Sequence, residues 1–320
     1  MKYLIGFFQL LLKHKLKFLV LFVSALIFTV LLFPFNDLSD LVSTKVAQFT
    51  QNQVFLQFEK MGLSFSPSAG LEFSNISVDT PALPTINAKE VVITPGLSSL
   101  ITQKPAGTVS AKGLFHGNVE ISMKPGTKTD TGVERQKIEI TARQLSLADL
   151  RDLAQLPMVL KGKVDLTTVA QADLSFQEQP EIDLNIKIDQ FELPPSNVQT
   201  PMGPLTLPDL KLSSVTLKGR LVGGRLNIEE GIIGKENDEM RGSIKGGIGL
   251  QLQNRGGLVP VIGAYNFDVD LTVKKNFQDK AALLLTLLDQ YKTPTADGAR
   301  FALRVSAPGP NTPPNMSALK

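Results

Sequence analysis

Alternation of apolar and polar residues runs through much of this chain, and few architectures accommodate it. In "KVDLTTVAQADLSF" the residues Val164, Leu166, Thr168, Ala170, Ala172, Leu174 and Phe176 fall on one face, with Gln171, Asp173 and Ser175 on the other. "EIDLNIKIDQFEL" sets Ile182, Leu184, Ile186 and Ile188 against Glu181, Asp183, Asn185, Lys187 and Asp189. Its apolar phase then slips at Gln190 to Phe191 and Leu193, the trace that a β-bulge leaves. "FDVDLTV" and "RFALRV" repeat the pattern. Strands with one apolar and one polar face build antiparallel sheets wetted on one side. Gly and Pro clusters such as "KPGTKTDTG", "LPPSNVQTPMGPLTLP" and "LVGGRL" supply the turns between them.

Helical signals are few. "SLADLRDLAQLP" has Ser146 as N-cap, Leu147, Leu150, Leu153 and Ala154 at helical spacing, and Pro157 as its stop. "NFQDKAALLLTLLDQY" places Phe277, Ala281, Leu284, Leu285 and Leu288 on one face, and "DLSDLVSTKVAQFTQN" starts as a helix. Strand follows strand without helices to interleave, which argues against βαβ units. The expected fold is mainly β: an N-terminal transmembrane helix, then a large antiparallel, curved sheet, taco- or sandwich-like, with two or three short helices. Such a sheet exposes more apolar face than those helices can cover. It must close on itself as a sandwich or barrel, or curl into a trough whose inside meets something else. Val164, Leu166, Leu174, Phe176, Ile182, Leu184, Ile186 and Ile188 are the candidate walls of that trough.

The transmembrane expectation comes from "KHKLKFLVLFVSALIFTVLLFPF". From Phe18 to Phe33 no residue is charged, and Ser24 and Thr29 are the only polar side chains. A core helix keeps a polar stripe, and this segment has none. Its length of about 24 Å as a helix approaches a hydrocarbon layer of ~30 Å. Lys13, Lys15 and Lys17 sit too far into the chain for a cleaved leader, and no small-x-small site follows. Of 33 basic residues four (Lys2, Lys13, Lys15, Lys17) precede the run and no acidic one does, leaving 29 against 30 acidic residues beyond it. The lysines are therefore a topology signal, and the neutral remainder gives no reason to expect a nucleic-acid partner.

The domain reading follows: a cytoplasmic basic segment over 1–17, in which Tyr3 to Leu12 can lie along the membrane, a span over 18–35, a β-rich body over 36–306 and a Pro-rich disordered tail over 307–320. The bulk is placed outside the cytoplasm, on a single-pass anchor.

Catalytic chemistry is not visible. The chain has no cysteine, hence no disulfide, thiolate nucleophile or zinc–thiolate site. Its two histidines are His14, among the lysines, and His116 in "KGLFHGNVE", which reads as structural. No "HExxH", "GxSxG" or "GxxxxGK[ST]" occurs. Glu236, Asp238 and Glu239 in "GIIGKENDE" lack the alternating ligands of a calcium loop, and Lys235 reads as a turn lysine. No catalytic, metal or cofactor-binding residue is assigned, and no cofactor is expected.

From "FPFNDLSDLVSTKVAQFT" the chain resembles the type II secretion system protein N family, in the form found in bdellovibrio-like and leptospiral bacteria. The likeness continues through "GLEFSNISVDTPALPTINAKEVVITPGLSSLITQKPAGTVSAKGLFHGNVEIS" and "LSLADLRDLAQLPMVLKGKVDL". It resembles the AsmA-like periplasmic proteins more loosely. The first resemblance implies an accessory subunit of the secretion machinery, single-pass in a bacterial inner membrane with its β-rich body over 36–306 in the periplasm, and with secretion-system subunits as partners. The second implies a lipid-binding or lipid-transfer protein with an apolar β-groove, and phospholipid as its partner. Neither carries a catalytic signature.

Overall fold

The computed structural model describes residues 14–65, 69–81, 83–96, 99, 104–128, 132–154, 156–173, 178–200, 203–254 and 258–319. The first helix, α1 (Lys15–Leu31), has 17 residues. It ends at Leu31, and a 3-10 turn over Phe35–Leu38 follows. The expected span over 18–35 is thus not one helix, because the chain leaves helical geometry before Pro34, whose ring disfavours helical backbone at the residue before it. No helix among the described residues is long and apolar enough to cross a membrane. Lys13 and the stretch from Tyr3 to Leu12 lie outside the described residues.

Helix α2 (Ser39–Phe49) leads into the strands. β1 (Phe55–Gln57) and β2 (Lys60–Ser64) are short. β3 (Gly70–Thr80), β4 (Leu83–Pro95), β5 (Gly107–Leu114), β6 (Gly117–Lys128) and β7 (Glu134–Ser146) follow. Helix α3 (Leu147–Leu153) interrupts before β8 (Lys161–Ala172) and β9 (Glu181–Leu193). A separate hairpin, β10 (Ser196–Thr200) with β11 (Gly203–Leu207), occupies the Pro-rich stretch read as turns. β12 (Leu210–Val222), β13 (Arg225–Ile233), β14 (Met240–Asn254) and β15 (Leu258–Lys274) form the next meander. Helices α4 (Lys275–Lys280) and α5 (Ala282–Thr286) precede β16 (Lys292–Thr295), β17 (Gly298–Ala307) and β18 (Asn315–Ala318). The tail expected to be disordered from 307 therefore contributes a strand over Asn315–Ala318, paired with β17.

Apart from the β10–β11 hairpin, these strands form one 16-stranded sheet with antiparallel pairings. Nearly every strand pairs with its neighbours in sequence, and the path has two ends, so the sheet is neither a barrel nor a sandwich of two sheets. Both outer edges are finished alike. β1 and β2 cover two successive stretches of β3, and β16 and β18 cover two successive stretches of β17. Short edge strands limit edge-to-edge association.

The period-two pattern becomes one continuous apolar face. A row of directly opposed residues runs Leu71, Ile93, Val109, Ile121, Ile140, Thr168 and Leu184. It continues Gly219, Ile228, Gly246, Phe267, Val305 and Met316. At ~4.8 Å per strand this row is roughly 55–60 Å long. The register survives because irregularities on neighbouring strands compensate. Gln190 adopts φ 54 and Gly162 φ 144, where the register shifts between Lys161 and Lys163, so the bulge read at Gln190 is present.

Three separate clusters cover parts of this face. Phe73, Ile76 and Ala88 pack with Phe35, Leu38 and Val42 at the N-terminal end. Ala142, Leu145 and Val164 pack with Leu147 and Leu150 of α3. Val273, Ala299, Phe301 and Leu303 pack with Phe277 and Ala281, the buried residues of the broken α4–α5 segment. The chain exposes 20662 Å² of surface, whereas a compact monomer of its mass exposes about 13,000 Å². The open sheet and the exposed helix α1 both contribute to that excess.

Candidate functional site

The apolar face runs across the sheet from β3 to β18. Val164, Leu166, Ile182, Leu184, Ile186 and Ile188 all lie on it: Val164 opposes Ile188, Leu166 opposes Ile186, and Leu184 opposes Thr168. Val164 is buried beside α3, with Leu166, Ile186 and Ile188 packed against that cluster. Ile182 and Leu184 are half-buried and outside it. Leu174 and Phe176 lie outside the described residues. Thr168 is the one polar side chain in the long row, and its hydroxyl donates to the Asp183 carbonyl at 2.7 Å. The row therefore offers an apolar guest no unsatisfied polar side chain.

Cover is uneven across the face. Phe301 is 1% exposed under α4, whereas Ile93 is 41% and Ile121 36% exposed. Exposed apolar side chains grouped on one face make that face a candidate binding surface.

The opposite face is held by ion pairs between directly opposed residues. Lys112 meets Glu90 at 2.6 Å, Arg220 meets Asp183 at 2.7 Å, and Lys218 meets Glu230 at 2.6 Å. Arg304 grips the opposed Asp268, and Arg300 reaches diagonally to Asp270, with two nitrogens each. Those guanidinium hydrogen bonds hold both carboxyls below the usual carboxylate range. Such pairs fix register and keep this face wet.

The acidic turn weighed as a calcium loop is built otherwise. Burial pushes the Asp238 carboxyl up. Hydrogen bonds from the Ser213 hydroxyl and from the backbone N–H groups of Lys235 and Ser213 outweigh it and leave Asp238 lowered. Its oxygens tie the β13–β14 turn to β12. No group of three or more His, Asp or Glu among the described residues is arranged to hold a metal ion.

One feature escaped the sequence reading. His116 lies in a cleft of about 680 Å³ between β4, the β5–β6 turn and α3, with its Nδ1 2.6 Å from Asp149 Oδ2. Phe115 and His116 both adopt left-handed backbone, φ 48 and 61. The only trace in the sequence is the Gly113 and Gly117 that bracket "LFH". Ser146 caps α3 by accepting from the Asp149 N–H at 3.4 Å, which places Asp149 beside His116. Comparison with protein-family models, with curated proteins and with solved structures finds no match to this chain.

Proposed function

We propose that this protein is a membrane-attached, non-enzymatic lipid-binding protein, in which the apolar face of the sheet curls into a trough that receives acyl chains. The observation that carries this reading is the unbroken apolar row across the sheet, left open where the three clusters do not reach it. A length of roughly 55–60 Å exceeds what any single acyl chain needs and suits several chains side by side or passage along the row.

Attachment is proposed through α1, whose Leu19, Leu21, Phe22, Leu26 and Phe28 are exposed around its circumference. Crossing is proposed not for the 17 residues of α1 alone but for α1 together with the apolar Leu32 and Phe33 beyond its end, and Lys15 and Lys17 can snorkel. Thr29 is no obstacle, since its hydroxyl donates to the Ala25 carbonyl at 2.8 Å. The lysines then set the N-terminus in the cytoplasm and the sheet in the periplasm. The absence of native cysteine makes this testable by maleimide labelling of single introduced cysteines in intact cells, and labelling of a position before α1 from outside would reverse the topology.

The central test uses a bifunctional phospholipid with a photoreactive acyl chain, activated in cells that make the full chain. Adducts are expected on Ile182–Ile188 and their apolar neighbours, and Leu184→Asp, in a variant shown to be folded, is expected to remove them. Adducts confined to α1 would sink the trough. A place beside the type II secretion machinery rests on the order of segments in the sequence and takes nothing further from the fold. Crosslinking in the native envelope that recovered no secretion component would remove that reading.

A further inference from the structure

The sheet has a notch. β4 extends over Leu83–Pro95, yet β5 opposes it only from Glu90 to Pro95. At Gly113, φ +75, β5 turns away into the tip formed by Phe115 and His116. Among the described residues no strand pairs with 84–89 of β4 on that side, and α3 stands across the gap. The result is the cleft of about 680 Å³.

Two properties set this cleft apart. It is continuous with the apolar face, since Ile76 and Ala88 of the N-terminal cluster line one wall and Phe115, packed on the middle cluster, lines another. Its charges are also unequally satisfied. Asp149 is engaged by His116 and Asp152 by Arg151, whereas Lys89 makes no ion pair among the described residues. The Lys89 stem lies across Gly113, where a Cβ would meet its Cγ at 2.7 Å. A lysine whose stem follows the chain and whose ammonium stays free beside apolar walls is suited to an amphiphile with an anionic head. The free edge of β4 adds unpaired backbone groups to the same site.

We propose that this notch is the headgroup site of the trough. The phosphate of a glycerophospholipid sits at Lys89, with its acyl chains passing over Ile76 and Ala88 onto the apolar face. This rests on the lipid reading above.

The chain has no tryptophan, so a single introduced one reports on its own surroundings. Full-length Phe115→Trp, Ile121→Trp and Asn185→Trp proteins are reconstituted into phosphatidylcholine vesicles containing lipid spin-labelled either at the headgroup or near the acyl terminus. The reporter at position 185, on the polar face, measures quenching by the bilayer alone. Above that baseline, headgroup label is expected to quench position 115 at least twofold more than tail label, and position 121 is expected to show the reverse. Adding Lys89→Glu should halve headgroup quenching at 115 and leave tail quenching at 121 intact.

Tail quenching at 121 without headgroup quenching at 115 would overturn the notch while preserving the lipid trough. No quenching above baseline at either position would overturn both. Headgroup quenching unaffected by Lys89→Glu or Lys89→Gln would remove the lysine from the site. Slow amide exchange over Thr85–Lys89 without headgroup quenching would mean that a polypeptide strand fills the notch, which also overturns the proposal.

Discussion

The C-terminal end and the middle of the apolar face follow the same alternation and meet different fates. Val273, Ala299, Phe301 and Leu303 are almost fully buried, because α4 and α5 leave the end of β15 and lie down on them. Lys280, paired with Asp209 at 3.2 Å and Glu239 at 2.9 Å, holds that cover in place. Ile121, on the same face, belongs to none of the three clusters and keeps a third of its surface in water. The strand pattern thus decides which face is apolar. Whether that face is a core or a binding surface depends on what the connections between strands bring back over it.

The largest expected effect tests this contrast directly. Phe301→Ala should cost about 3–5 kcal/mol in urea unfolding followed by circular dichroism. Ile121→Ala should cost less, about 1–2 kcal/mol, because a third of its surface is never removed from water. Equal losses would mean that the middle is covered after all.

Gly246→Val should cost about 1–3 kcal/mol by the same measurement. Gly246 sits in the long row at φ +139, and a Cβ there would meet the Phe267 backbone Cα at 2.8 Å. A neutral result would show that the backbone of the open region yields where the covered end does not. A smaller change is expected from Ser146→Ala, about 1 kcal/mol, seen as faster amide exchange in α3 and around Leu145 while the α4–α5 cover stays protected.

The smallest effect lies on the wet face. Asp268 and Asp270 titrate lower in the folded chain than in the unfolded one, so their pairs with Arg304 and Arg300 stabilise above the ordinary carboxylate pKa of about 4. That contribution fades as pH falls through the lowered values. Replacing both arginines by Met should therefore lower the urea midpoint slightly at neutral pH, and the gap to the parent should close in acid. A gap that widened in acid would reverse the sign.

Much of this was legible in the residues. The alternation identified the sheet and its apolar face, the slip at Gln190 located a bulge, and "SLADL" located a capped helix. The break between α4 and α5 was not legible, because Phe277, Ala281 and Leu285 keep helical spacing across it. There the helical segment bends to follow the sheet beneath it, and Ala281 is buried at the bend. The hairpin over 196–207 hid among prolines that usually mark turns. The notch at β4 was also invisible, since it depends on β5 being shorter than its neighbour, and strand ends are poorly marked when Gly113 falls inside an otherwise regular run. The middle of the face stayed ambiguous for a plainer reason. Openness depends on which segments fold back, and that information is spread over residues distant in the chain.

The meander order has a temporal meaning as well. Nearly every strand finds its partner one hairpin later, so the loops closed at each step are short and the ordering entropy is met in small instalments. A chain emerging in order during synthesis can add strands as they appear, with β3 and β4 complete long before β17 exists. The apolar face of the early strands is then in place while α4 and α5 are still unmade. If lipid is the natural guest, it can arrive as part of assembly, shielding the young sheet before the last helices close their end.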